Sequence, residues 1–199
     1  MTQSGVVYSR NIGDDVFSFG VSGRLYKSNV LLYDHQTESL WSQLMARSIA
    51  GPLAGSRLTI VTSFRTSWQS WLSRHPKTHV LSTQTGFERN YTIDPYKGYY
   101  RVGSIWFPVG RVRKDLPVKE RILGIAVADE ARAYPLSRFG TDADVIEDIL
   151  GGETLRIQVD PGGEVAGVWN GRGEPVPHLF VYWFAWQAFH PDTTVFESK

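Results

Sequence analysis

The sequence has no cysteine among its 199 residues. That absence excludes disulfide bonds, thiolate catalysis and cysteine-ligated metal sites, and it leaves the redox compartment undetermined. No apolar run approaches the length that spans a bilayer, and the first ten residues lack the basic and apolar regions of a signal peptide. The net charge is +1 with acidic and basic residues interspersed, so no overall field attracts nucleic acid or a membrane surface. We therefore expect a soluble, cytoplasmic protein that binds neither.

The motifs of several common enzyme classes are also absent. The sequence contains no Gly-rich phosphate loop, no nucleophile elbow and no dinucleotide fingerprint in the required context. Of the five histidines, only His75 and His79 lie four residues apart, and Pro76 between them prevents a helical two-histidine metal motif. We predict no metal site from these spacings, and the sequence implies no particular cofactor. Whether the protein is an enzyme stays open at this stage.

Tryptophan, by contrast, is abundant, with seven copies, and four of them lie in two related segments. In residues 68–82 and 183–197 the same pattern recurs without a gap: two tryptophans three residues apart, then His-Pro, then Thr-x-Val. Tryptophans at this spacing share one face of a helix, and proline ends that helix. We predict a short helix, a sharp stop and a strand in each segment. His75 and His190 are either paired functional groups or, as packing alone favours, helix-end residues.

The remaining chain predicts mainly strands. Short β-branched and aromatic runs alternate with turn residues through both ends of the sequence. Residues 142–150 are predicted as a short helix, because their acidic start and apolar spacing precede Gly151-Gly152. We expect one α+β domain, residues 1–199, of mostly antiparallel strands with short helices. It comprises two pseudo-repeated halves, about residues 1–84 and 122–199, separated by an aromatic-rich excursion at about 85–121.

The segment after Tyr33 is the first candidate for a functional site. If residues 37–45 form a strand, alternation places Ser39, Trp41 and Gln43 on one face and the leucines on the other. A row of hydroxyl, indole and amide groups is typical of a ligand-lining face, although a solvated sheet face is the alternative. Asp34 and His35 are the most plausible acid/base pair, unless Asp34 only stabilises a turn.

Several motifs together resemble a known family. They are Phe19-Gly-Val-Ser-Gly23, Tyr33-Asp-x-x-Thr-x-Ser-Leu-Trp-Ser-Gln43, Ile49-Ala-Gly-Pro-Leu-Ala-Gly55, Ala131-Arg-Ala-Tyr-Pro135 and the terminal tryptophan segment. The chain is similar over nearly its whole length to the bacterial and archaeal family called domain of unknown function 3179. The resemblance implies no activity, and the Cys-Pro-x-Cys motif of typical members is missing here. It maps the family's recurring polar positions onto Ser22, Asp34, Ser39, Trp41 and Gln43.

Two functions follow as hypotheses. The first is a small-molecule-binding protein, perhaps catalytic, with Asp34 and His35 as catalytic residues and Ser22, Ser39, Trp41 and Gln43 as ligand-binding residues. Residues 91–107 would then cover the pocket as a lid. The second is a non-catalytic protein-interaction module that uses the aromatic residues 91–107 as its docking surface. Exposed, contiguous aromatic side chains in that segment would favour docking, whereas side chains facing a cavity would favour a lid. The oligomeric state is not predicted.

Overall fold

The computed structural model describes residues 1–142, 144–160 and 163–197. Most strand pairs are antiparallel and the helices are short, which confirms the predicted β-rich class. The strands of the described residues are β1 (Val7–Tyr8), β2 (Asn11–Ile12), β3 (Asp15–Val16), β4 (Phe19–Tyr26), β5 (Asn29–Asp34), β6 (Leu40–Ser42), β7 (Arg47–Ala50), β8 (Ile60–Val61), β9 (Arg121–Val127), β10 (Glu130–Pro135), β11 (Asp144–Leu150), β12 (Glu153–Asp160), β13 (Glu164–Asn170), β14 (His178–Tyr182) and β15 (Thr194–Val195). The helices are α1 (Trp68–Arg74), α2 (Lys97–Arg101) and α3 (Trp183–Phe189), with one 3-10 helix (Leu136–Arg138).

A four-stranded sheet in the order β14-β9-β10-β15 organises the C-terminal part of the chain. β9 and β10 form an antiparallel hairpin whose turn lies at residues 128–129, one residue before the predicted turn. β14 pairs antiparallel with β9, whereas β15 pairs parallel with β10. α3 therefore connects the two outer strands of the sheet and crosses over the hairpin between them.

α3 is buried on almost every side. Its buried residues are Trp183, Phe184, Ala185, Trp186, Gln187 and Ala188. A helix that is apolar nearly all round is expected inside a core. Trp186 lies against Gly124 of β9, where an added Cβ would be 2.5 Å from the indole ring. Glycine at this position therefore allows the helix to pack directly on the sheet.

A second sheet, β11-β12-β13, shares a core with the opposite face of the central sheet. Its first strand corrects the prediction of a helix at residues 142–150, because β11 pairs with β12 along its whole length. The connecting Gly151 and Gly152 have φ angles of 57° and 78°. Positive φ at both central residues is the signature of a tight hairpin turn, so these glycines reverse a strand instead of ending a helix.

The first half contains a meander, β4-β5-β6-β7. The predicted strand at residues 37–45 is reduced to β6, with turns on either side. Its faces are also opposite to the prediction, because Trp41 is completely buried while Leu40 is only partly buried. The cause is local: the residues before Leu40 form a turn, which changes the alternation that the strand prediction assumed.

The aromatic excursion contains α2 but, among the described residues, no strand. Its later part packs against the core around α3, where Tyr99, Val109 and Leu116 are buried. No helix in the described part of the chain is long and apolar enough to span a membrane.

Candidate functional site

Asp34 is the centre of a buried hydrogen-bond network. Its carboxylate accepts hydrogen bonds from the backbone N of Thr37 at 2.5 Å, from the Thr37 hydroxyl at 3.0 Å and from Trp41 Nε1 at 2.8 Å. Ser39 Oγ lies 2.7 Å from the Thr37 hydroxyl and accepts a hydrogen bond from Leu53 N at 3.0 Å. Asp34, Ser39 and Trp41 have no exposed surface, so a ligand could reach them only after a local rearrangement.

This network keeps Asp34 ionised while it fixes two turns. Burial opposes ionisation, but the hydrogen bonds from Trp41 and Thr37 outweigh it and hold the pKa of Asp34 below its ordinary value. The second turn, which contains Leu53, packs tightly against the first. Gly51 has a φ of 97°, and an added Cβ there would lie 2.7 Å from Ser39 Cα. The arrangement favours a structural role for the polar row, namely joining the turn after β5 to the turn after β7.

The other predicted site residues lie apart from this network. The Ser22 hydroxyl donates to the Leu31 carbonyl at 2.6 Å on the neighbouring strand. Gln43 accepts hydrogen bonds from Ser4 and Asn29. His35 is exposed and its ring packs edge-on against Tyr33, with ring centroids 4.9 Å apart. Asp34 points inward and His35 outward, so the two side chains do not form an acid/base pair in this conformation.

The aromatic excursion forms a surface cluster instead of a lid. The aromatic cluster consists of Tyr96, Tyr99, Tyr100 and Trp106. The rings of Tyr96 and Trp106 lie 6.2 Å apart, and these side chains are 40% and 52% exposed. Tyr99 is 1% exposed and contacts Trp106 from below, at 4.8 Å between ring centroids. The two outer members are thus contiguous and open to solvent, while the inner one anchors them to the core.

Lys119 fixes the base of the aromatic cluster. Its ammonium group lies 3.3 Å from the centroid of the Tyr99 ring and donates to the carbonyls of Tyr99 and Val102 at 2.5 and 2.7 Å. Burial lowers the pKa of Lys119 below its ordinary value. A cation that binds an aromatic face and the last carbonyls of α2 at once gives the cluster a defined shape.

The exposed apolar surface is concentrated in residues 61–107. Of the twenty-one large hydrophobic side chains that the described residues expose, fourteen lie in this range. They include both tryptophans of α1, and none of the residues of that helix is buried. Scattered exposed apolar residues are normal in soluble proteins, but an apolar concentration of this kind marks an interaction surface.

A groove runs beside α1. It encloses about 780 Å³ between residues 3–7 on one side and residues 63–68 with Trp71 on the other, and Phe180 also contributes to its lining. Arg65 crosses part of it by donating to the Gln3 side chain at 3.1 Å. The groove is therefore large, partly apolar and bordered by two extended backbone segments.

A smaller cavity of about 260 Å³ lies beside α3, between Trp186 and the turn that contains Leu44. His190 stacks on Trp186 at 3.9 Å between ring centroids, and burial lowers its pKa to about 4. His178 Nδ1 lies 2.9 Å from the Val176 carbonyl, while its buried Nε2 has no hydrogen-bond partner in the part of the chain that the structure describes. Arg47 and Arg57 also line this cavity.

Both histidines of this cavity are neutral near pH 7. Burial lowers the pKa of His178 more than the carbonyl groups of Val176 and Ser63 raise it. With Nδ1–H donating to Val176, Nε2 is left as an acceptor. Nowhere in the described residues do three or more acidic or histidine side chains group as a metal site would require.

The sequence reasoning considered these histidines only as metal ligands or helix-end residues and did not place Arg47 or Arg57 in a site. A usable signal was present, since both histidines flank the most apolar helix of the chain. What the sequence did not show is that the turn at Leu44 folds against that helix.

Together these features define a β-rich protein with mostly antiparallel sheets, few short helices and an apolar, aromatic-rich surface. The family described as "Protein of unknown function (DUF3179)" matches residues 1–167, so the chain belongs to that family and the expected resemblance is confirmed. Neither the curated proteins nor the solved structures that were compared with the chain gave a match.

Proposed function

We propose that this protein is an interaction module that binds another polypeptide through the apolar surface of residues 61–107. The observation that carries the proposal is the exposed, contiguous pair Tyr96 and Trp106 above the buried Tyr99. A lid would instead turn these rings towards a cavity. Aromatic side chains anchored from below supply large contact areas at little cost in conformational entropy, which is how interface hot spots are built.

The test is site-specific photocrosslinking in the cells that make the protein. A photoreactive phenylalanine analogue is placed at Tyr96 or at Trp106, and the control position is Val21, which is 70% exposed on β4. We expect one discrete crosslinked product of higher mass from each of the two aromatic positions and none from Val21. Equal crosslinking at all three positions, or none at any of them, would contradict the proposal.

The two tryptophan segments also support the proposed pseudo-repeat of the two halves. In both segments the histidine N–H donates to the carbonyl of the second tryptophan, at 2.8 Å for His75 and 2.9 Å for His190. In both, the tryptophan indole donates to the threonine that follows, at 2.9 Å for Thr78 and 2.8 Å for Thr193. A shared origin of the halves explains why two distant segments carry the same local contacts.

Small-molecule binding is the second candidate, and we propose the cavity beside α3 as its site in place of the segment at residues 33–45. The specific observation is the unpartnered Nε2 of His178 in a cavity that Trp186 and Leu44 make apolar and that Arg47 and Arg57 make basic at one side. These groups suit a small, largely apolar molecule with an anionic group and one hydrogen-bond donor.

Native mass spectrometry of the purified 22.4 kDa protein tests this second candidate. The matched variant is Ala126→Leu, which fills cavity space from an exposed position on β9. We expect an added mass on the wild-type chain that is absent from the variant. A wild-type chain without added mass, or an adduct that Ala126→Leu retains, would remove the cavity from consideration.

A further inference from the structure

The second tryptophan segment shows what normally lies beneath this type of helix. β14 and β15 run parallel to each other and are separated by two strands, β9 and β10, over which α3 passes. The hairpin pairs with β14 along one edge and with β15 along the other. It also supplies the face on which Trp186 packs, through Gly124.

The first tryptophan segment has the same helix and the same stop but no hairpin. Residue numbers that differ by 115 correspond, so residues 63–67 take the place of β14 and residues 79–80 take the place of β15. Among the described residues, no backbone group of residues 63–66 hydrogen-bonds to another backbone group, and residues 79–81 are in no strand. Leu81 is 96% exposed, whereas the corresponding Phe196 packs on Tyr134 at 5.0 Å.

The exposure of α1 is thus confined to the positions that the hairpin covers in the second segment. Trp71 is 41% exposed and Trp186 is 2% exposed, although their backbones and indole hydrogen bonds match. The groove of about 780 Å³ lies against this same face of α1 and against residues 63–68. It is the space that lies next to the unpaired backbone.

We propose that α1 and its flanking residues bind a β-hairpin that another polypeptide presents, in the way that α3 packs on β9–β10. The proposal rests on the docking surface proposed above and names the partner for its α1 part. The first strand of the incoming hairpin pairs with residues 63–66 and its second strand pairs with residues 79–81. Main-chain hydrogen bonds then provide affinity, as in other complexes formed by strand addition.

The helix-facing side of the partner hairpin carries small residues. In β9–β10 the residues on this side include Gly124, Ala131 and Ala133. A larger side chain opposite Trp71 would hold the helix away from the strands, as a Cβ at Gly124 would for Trp186. A second copy of this chain is not the partner, because its own β9 and β10 are already paired on both edges.

The hairpin of this chain provides the probe. The experiment adds a backbone-cyclised peptide with the sequence of residues 121–136 to the intact protein, since cyclisation keeps an isolated hairpin folded. Indole N–H signals of Trp68, Trp71 and Trp186 are followed by NMR. We expect the peptide to shift the Trp68 and Trp71 signals in a saturable manner and to leave the Trp186 signal unchanged.

Two variants make the test specific. A peptide with the substitution Gly124→Leu should bind about tenfold more weakly or worse, because an overpacked contact costs on the order of 1–3 kcal/mol. The protein variant Trp71→Ala should likewise lose binding, and the exposed control Phe87→Ala should keep it. Equal binding of both peptides would show that the contact is nonspecific and would overturn the proposal.

The outcomes separate this proposal from the proposed function. If Tyr96 and Trp106 crosslink to a partner but the peptide does not shift Trp71, the interaction module stands and the hairpin is the wrong occupant. If the peptide shifts Trp186 instead, it exchanges with the chain's own hairpin, which also refutes binding at α1. If neither crosslinks nor shifts are observed, both proposals fail.

Discussion

α1 and α3 carry almost the same motif, yet one lies on the surface and the other in the core. Each helix has seven residues, begins with the first tryptophan and ends at a histidine with nearly the same backbone angles. The tryptophan and histidine rings stack in both, at 4.1 Å in α1 and 3.9 Å in α3. Local sequence therefore determines the shape of the motif, and the surrounding strands determine whether it is buried.

The residues between the tryptophans differ in the direction that burial requires. α1 has Gln69 and Ser70 where α3 has Phe184 and Ala185. A helix with polar residues on one side is suited to a surface, and one that is apolar all round is suited to a core. The difference is readable from sequence, although the shared tryptophans draw attention away from it.

The two helices also satisfy their first N–H groups differently. The Ser67 hydroxyl of α1 accepts a hydrogen bond from Ser70 N at 3.2 Å, which is a local cap. α3 has no side-chain cap, and its first N–H groups donate to the carbonyls of Glu120 and Val118 at 2.8 and 3.0 Å. α1 is thus locally stabilised, whereas α3 depends on tertiary structure.

Truncation of the second tryptophan in each helix should separate them most strongly. Trp186→Ala removes a buried indole from the core and should reduce the free energy of unfolding by about 3–5 kcal/mol. Trp71→Ala alters an exposed side chain and should cost less than about 1 kcal/mol. Chemical denaturation of both variants measures the difference. Similar losses for the two would show that α1 is buried in solution, which would refute the comparison.

The histidines that end the helices should differ in their contribution to acid sensitivity. Burial lowers the pKa of His190 to about 4 in the folded chain. The unfolded chain binds that proton below about pH 6.5, so between these values it holds more protons than the folded chain. Stability should therefore fall with pH in this window, by about 2 kcal/mol between pH 7 and pH 5 for this residue.

Denaturation at both pH values with His190→Gln tests this effect. The variant cannot take up the proton, so its stability should change less than that of the wild type between pH 7 and pH 5. His75→Gln in the exposed motif is the matched control and should retain the wild-type pH dependence. A control that flattens the curve as much as His190→Gln would assign the effect elsewhere.

Asp34→Asn distinguishes the structural role of the buried network from the catalytic one that the sequence suggested. Asparagine places an amide N–H where the carboxylate accepts hydrogen bonds from Thr37 or Trp41. An unsatisfied buried donor costs about 1–3 kcal/mol, so we expect a loss of that size in denaturation experiments. The exposed substitution Asp14→Asn should have no such effect. An unchanged stability for Asp34→Asn would reopen the catalytic interpretation.

Sequence reasoning succeeded where the signal is local. The ends of α1 and α3 follow from Trp-x-x-Trp and His-Pro, because helix periodicity and proline act within a few residues. It failed at β11, where acidic residues and a Gly-Gly pair fit a helix and its end as well as a strand and a hairpin turn. Only the pairing with β12 decides between these. The polar row was found correctly as a group at Asp34, Ser39 and Trp41, but a buried network and a ligand-lining face have the same composition.

The smallest predicted effect concerns the cap that only α1 possesses. Ser67→Ala removes the hydroxyl that accepts from Ser70 N, and loss of such a cap costs a helix about 1 kcal/mol. Because α1 contributes no buried residue, this loss should open α1 locally and leave the global free energy of unfolding within about 0.5 kcal/mol of the wild type. Amide hydrogen exchange should show faster exchange at Ser70 and Trp71 and unchanged exchange in α3. Ser73→Ala, on the same helix but outside the cap, is the control. A global loss caused by Ser67→Ala would mean that α1 unfolds together with the core, and the exposed helix would then be part of the cooperative fold in the same way as its buried counterpart.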